Sequence, residues 1–92
     1  MLTLTDAKNY VRATDEDDVL VQSLIDASKS YLAGAVDDFE SRYEQAGADW
    51  QAKAELAQKL LVADWYENRT PEGRPANSAV ELLIAQLQLE GA

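Results

Sequence analysis

The sequence contains no cysteine and no histidine. That excludes disulfides, thiol nucleophiles and most zinc sites, and it removes the side chain that most often serves as general base near neutral pH. Ordinary catalysis is not expected, and no cofactor or metal motif is recognised. Basic residues are few: eight Lys and Arg stand against seventeen Asp and Glu, for a net charge of −9, and no basic cluster exists that would neutralise consecutive phosphates. Tight nucleic-acid binding is disfavoured, although an acidic surface suits a passage that DNA slides through without being gripped. No apolar run approaches the roughly 18 residues of a membrane span, and no basic segment introduces an apolar stretch at the N-terminus. Neither a span nor a secretory signal is expected, and the chain is expected to work in the cytoplasm.

What is present is helical periodicity over nearly the whole length. Ninety-two residues make one small domain, residues 1–92, able to bury about 60 to 65% of the surface of its unfolded chain. Stability is therefore limited, and assembly with further copies would add to it. Thr5 is the expected N-cap of a first short helix, with Ala7, Tyr10 and Val11 on its apolar face and its end near Ala13. "TDEDD" then offers Thr14 or Asp15 as N-cap of a second helix over about 16–33, with Leu20, Leu24, Ala27, Tyr31 and Ala35 at steps of three and four and Gly34 closing it. From Val36 to Asp49 the periodicity weakens to Phe39 and Tyr43, which predicts a short helix and a turn at Gly47.

Asp49 is the expected cap of a long central helix that carries Trp50, Ala54, Leu56, Ala57, Leu60, Leu61, Val62 and Trp65. Leu24 and Leu61 belong to the two long stripes and are expected to anchor the core together with Trp65. Both prolines and one glycine fall within "TPEGRPANS", an expected exposed loop. A last helix, from Asn77 or Ser78 to Leu89, turns Val80, Leu83, Ile84 and Leu87 to one side and Leu82 and Leu89 to nearly the opposite side. One small core cannot receive both faces. The whole reads as an all-α bundle of four to five helices, two long and the rest short, with no repeat, low-complexity tract or linker.

Three groups of residues are candidates for chemistry or contact. The acidic run from Asp15 to Asp18 resembles the start of a calcium loop, but Val19 and Leu20 follow where a further oxygen ligand and a glycine are needed, so it reads as a solvated helix start. Pairs such as Asp37 and Asp38, or Asp64 and Glu67, arise readily by chance in so acidic a chain. The third group is "WYENR", where Trp65, Tyr66, Glu67, Asn68 and Arg69 crowd the end of the central helix. Covering the helix end accounts for part of it, yet Trp, Tyr and Arg are also the residues that dominate protein interfaces. Tyr66, Glu67, Asn68 and Arg69, with Leu82 and Leu89, are the candidate interface residues.

The opening "LTLTDAKNYVRATDEDDVLVQSLIDASKSYLAG", the central "LAQKLLVADWYENR" and the closing "SAVELLIAQLQ" resemble, in order and spacing, the small head-tail connector (adaptor or head-completion) proteins of long-tailed bacteriophages and prophages. The likeness covers nearly the whole chain. It implies a mostly helical structural protein that forms a homo-oligomeric ring at the portal vertex, between the portal protein and a downstream head-completion or tail protein. It also implies a DNA channel without sequence-specific binding, a place at the virion head-tail junction and assembly in the bacterial cytoplasm. Trp65, Tyr66, Asn68 and Arg69 match the family's motif, with Trp65 a core anchor and Arg69 a partner for an acid in its own or an adjacent subunit. Two departures stand out: the segment before the last helix is polar and short, and little sequence follows Leu89, so docking is expected to rest on the last helix itself. An acidic DNA mimic that inhibits a nucleic-acid-binding protein, and a small helical module that binds one protein partner, are the alternatives.

Overall fold

The computed structural model describes residues 1–68 and 78–90, and all the regular structure among them is helical. α1 spans Leu4–Val11, a 3-10 turn follows at Asp15–Asp17, and then come α2 (Asp18–Ala35), α3 (Phe39–Gln45), α4 (Ala48–Asn68) and α5 (Ser78–Glu90). α4 is the hub, packed against α1, α2, α3 and α5. The expected loop lies outside the described residues, apart from Ser78, which opens α5.

Helix ends differ from the sequence reading in instructive ways. α1 is capped by Thr3 and not Thr5: Thr3 is extended and its hydroxyl accepts the Asp6 amide at 3.2 Å. α1 closes at Arg12, which takes a left-handed conformation (φ 59°), so that the Arg12 and Ala13 amides both return to the Lys8 carbonyl. At "TDEDD" neither Thr14 nor Asp15 caps an α-helix. Thr14 is extended and leads into the 3-10 turn, and α2 begins only at Asp18. Gly34 does not close α2, because the helix runs through it to Ala35 and stops where Val36 turns extended and buries its side chain. The left-handed residue in this connection is Asp38, at φ 54°. Asp49 lies inside the first turn of α4, whose Gln51 amide bonds back to the Gly47 carbonyl at 3.2 Å.

The buried stripe of α2 is Val21, Ile25, Ser28 and Leu32, one residue, or about 100°, round from the Leu20, Leu24, Ala27, Tyr31 and Ala35 stripe read from the sequence. Both registers carry apolar residues. With α1 on one side and α4 on the other, the helix turns its β-branched register inward and uses the small Ser28 for close approach. Leu20 and Leu24 end half-buried beside this stripe, while Ala27 and Ala35 are exposed.

α4 divides the interior into two apolar clusters. One gathers Leu32, Val36, Phe39, Trp50, Ala54, Ala57, Leu61, Val80 and Leu87, and the other Leu2, Ala7, Val21, Ile25 and Val62. Gln58 of α4 is a fully enclosed polar side chain. Its Oε1 accepts the Leu2 amide and its Nε2 donates to the Ile25 carbonyl, both at 3.2 Å, so its polar atoms are satisfied and fasten the N-terminal segment and α2 to the hub.

Candidate protein-interaction surface

Two regions contain the residues singled out by the sequence: the C-terminal end of α4 and the outer face of α5. At the end of α4, Trp65 is half-buried at the rim of the larger cluster and not at its centre. Its indole meets Tyr31 of α2 edge-on, with ring centroids 6.1 Å apart and planes at 75°. Aromatic pairs of this geometry add to the energy of simple burial. One helical step on, Tyr66 is half-buried against the smaller cluster, and its hydroxyl donates to Asp17 Oδ2 in the 3-10 turn. Glu67 is exposed. Asn68 is the last residue of α4, and Arg69 lies outside the described residues, as does its expected pairing with an acid. Of the three expected anchors, Leu61 is fully enclosed, whereas Leu24 and Trp65 are half-buried.

The acidic run has work inside the fold. Lys8 of α1 pairs with Asp15 and, at 2.7 Å, with Asp18, and the hydrogen bonds it donates to these two carboxylates raise the Lys8 pKa above its ordinary value. The same lysine holds the Asp15 carboxyl below its ordinary value. With Asp17 accepting from Tyr66, the 3-10 turn links α1 to the far end of α4.

α5 has two apolar faces. Val80 and Leu87 are buried, with Leu83 and Ile84 half-buried beside them. On the opposite side Leu82 is 62% and Leu89 75% exposed. The helix positions between and beside these two leucines on that side are Ser78, Ala79, Ala85 and Gln86, none of them charged.

The C-terminal end of α5 is held by a residue that the sequence reading passed over. Arg42 of α3 sends Nη2 to the carbonyls of Leu87 at 2.6 Å and Gln88 at 3.0 Å, and Nη1 to the Asp37 carbonyl at 3.1 Å. Its guanidinium lies 5.6 Å from the centre of the Trp50 ring, whose Nε1 also donates to the Leu87 carbonyl. Gln88 closes the group by accepting the Asp37 amide at 3.0 Å and donating to Asp37 Oδ2 at 2.9 Å. The last carbonyls of a helix lack partners within it and carry partial negative charge, and α5 has no basic residue in its own last turn. The available sequence signal was modest: Arg42 is the single base between Asp37 and Asp49.

A solvent-open cavity of about 150 Å³ borders α3, lined by Met1, Lys29, Phe39, Glu40, Tyr43 and Glu44. The terminal ammonium of Met1 donates to the Tyr43 hydroxyl at 2.7 Å. Burial, with the nearby Glu55 carboxylate, raises the Tyr43 pKa. Lys29 and Glu40 form a long ion pair at the rim, at 3.7 Å.

Comparison with known proteins gives one family: the model described as phage gp6-like head-tail connector protein matches residues 1–89. No curated protein and no solved structure matches the chain.

Proposed function

The chain belongs to the phage gp6-like head-tail connector family, and on that premise we propose that its copies close into a ring beneath the portal protein, extend the DNA channel and present a platform to the next head-completion or tail protein. Membership makes it a structural component of the phage head-tail connection. The ring, the portal and tail partners and the sliding DNA belong to the proposal.

The observation that supports it best is the two-faced α5. A helix that is apolar on opposite sides is stable when covered on both, and the chain's own core covers only the Val80 and Leu87 side. Leu82 and Leu89 are then contacts to a neighbour or to the portal, and the stretch of sequence Tyr66, Glu67, Asn68 and Arg69 supplies a second contact region. The excess of seventeen acids over eight bases suits a channel that repels the phosphate backbone. Nothing in this role requires turnover of a substrate.

The test is attachment. Purified protein is incubated with DNA-filled, tail-less heads that lack it and examined by electron microscopy. A closed ring of added density at the single portal vertex, with restored joining to tails, is expected. Heads that bind none of the protein, or join tails equally well without it, overturn the proposal.

A further inference from the structure

We propose that the contact between neighbouring copies is a knob and a socket: Leu89, on the outer ridge of α5 in one copy, enters the cavity floored by Met1, Phe39 and Tyr43 in the next. The inference rests on the ring reading above and names the two surfaces that meet. A ring closed by rotation uses head-to-tail contacts, so every copy carries two different surfaces that complement each other. Among the described residues, the α5 ridge is a protruding apolar surface with no intramolecular partner, and the cavity is a recess with an apolar floor.

Size and charge favour the fit. A cavity of about 150 Å³ accepts a molecule as large as benzene, and an isobutyl side chain has comparable bulk. Two chains that each carry −9 repel one another, and the approach costs least where charge is absent. Ser78, Leu82, Ala85, Gln86 and Leu89 supply such a strip. On the receiving side the rim carries Lys29 as well as Glu40 and Glu44, so the acids there are partly offset.

Area sets the strength. α5 has 13 residues; at 1.5 Å per residue and about 10 Å across, one face offers roughly 200 Å², against about 800 Å² per partner in a standard interface. A single pair of copies is held weakly. The contact becomes durable when many copies stand side by side and each is held by two neighbours.

The absence of cysteine makes the pairing directly measurable. Full-length Leu89→Cys and Glu44→Cys variants, each checked for unchanged helicity and melting, are mixed over a range of concentrations and oxidised with copper phenanthroline. Leu89→Cys mixed with Asn9→Cys, a position on the exposed side of α1, reports random collision. Mixed Leu89→Cys and Glu44→Cys dimers should exceed the collision control by about tenfold, a difference of about 1.4 kcal/mol, and the chain carrying both substitutions should give a ladder of multimers. Predominant Leu89→Cys homodimers, which indicate α5 facing α5, overturn the inference, and so does a yield equal to the collision control. A chain that joins heads but cross-links in either of those ways leaves the connector reading standing and removes only this one. Failure of the native chain to join heads removes the connector reading.

Discussion

The indole N–H of Trp50, in the first turn of α4, donates to the Leu87 carbonyl in the last turn of α5 at 3.0 Å. Arg42 reaches the same oxygen, so one carbonyl in the last turn of α5 is bound by groups from two other helices. This cluster fixes the end of α5, and with it the direction in which Leu89 points.

Arg42→Ala should therefore loosen α5 before it loosens the rest. Hydrogen bonds to a charged group are each worth about 1.5 to 3 kcal/mol, and a loss at the lower end of that range is expected because Arg42 is only partly buried. Denaturant unfolding measures the total. Hydrogen exchange locates it: amides near Leu87 should lose protection while those near Val62 keep theirs.

Gln58 is a case of a polar residue that the core cannot replace with an apolar one. Gln58→Leu keeps the approximate volume but leaves the Leu2 amide without its partner, at an expected cost of about 1 to 3 kcal/mol. The Ile25 carbonyl still accepts the Ser28 hydroxyl at 2.7 Å, so the loss should fall mainly on the N-terminal segment. Chemical denaturation together with the amide signal of Leu2 checks both points.

Glycine sits where a helix does not use it and is missing where one does. Gly34 lies inside α2 with open space around a Cβ, so Gly34→Ala should stabilise by about 0.5 to 1 kcal/mol. Arg12 ends α1 in the left-handed region, where glycine carries no Cβ penalty. Arg12→Gly should stabilise by up to about 1 kcal/mol. Both gains are read from thermal melting, and a loss at either position contradicts the helix ends described above.

Leu82→Glu combined with Leu89→Glu should leave the melting of the isolated chain nearly unchanged, since both side chains are largely in water. Attachment to heads, scored by electron microscopy, should be abolished. An unfolded double variant would mean that these leucines serve the core.

The Lys8 pairings set a pH window. The Asp15 carboxyl is held below its ordinary 3.8, so its contribution is present above that value and is lost as pH falls through its depressed pKa. Lys8 is held above its ordinary 10.5, so its contribution is present below that value and is lost as pH rises through its raised pKa. The melting difference between the native chain and Lys8→Met should be constant across neutral pH and shrink at both extremes. A difference independent of pH would assign the effect of Lys8 to its alkyl stem.

Much of this architecture could be read from residue order alone. The spacing of Leu60, Leu61 and Trp65 announced the long central helix, and Val80, Leu83, Ile84 and Leu87 against Leu82 and Leu89 announced a helix with two apolar sides. Helix ends were less legible because several residues competed for each one. Thr3 and Thr5 are both capable caps, and the choice between them depends on where the preceding Leu2 side chain is buried. In α2 the registers 20, 24, 31 and 21, 25, 32 are both apolar, and periodicity does not rank them.

The sequence by itself determined the helical class, the single small domain, the acidic surface and the surplus of apolar helix face, because each follows from composition or from a period of 3.6 residues. Only the tertiary structure decided which register of α2 faces inward, that Asp17 receives the Tyr66 hydroxyl, and that Arg42 and Trp50 from different helices converge on the end of α5. Those contacts join residues 37 to 49 positions apart, and such partners are chosen by how the helices pack, which no local pattern encodes.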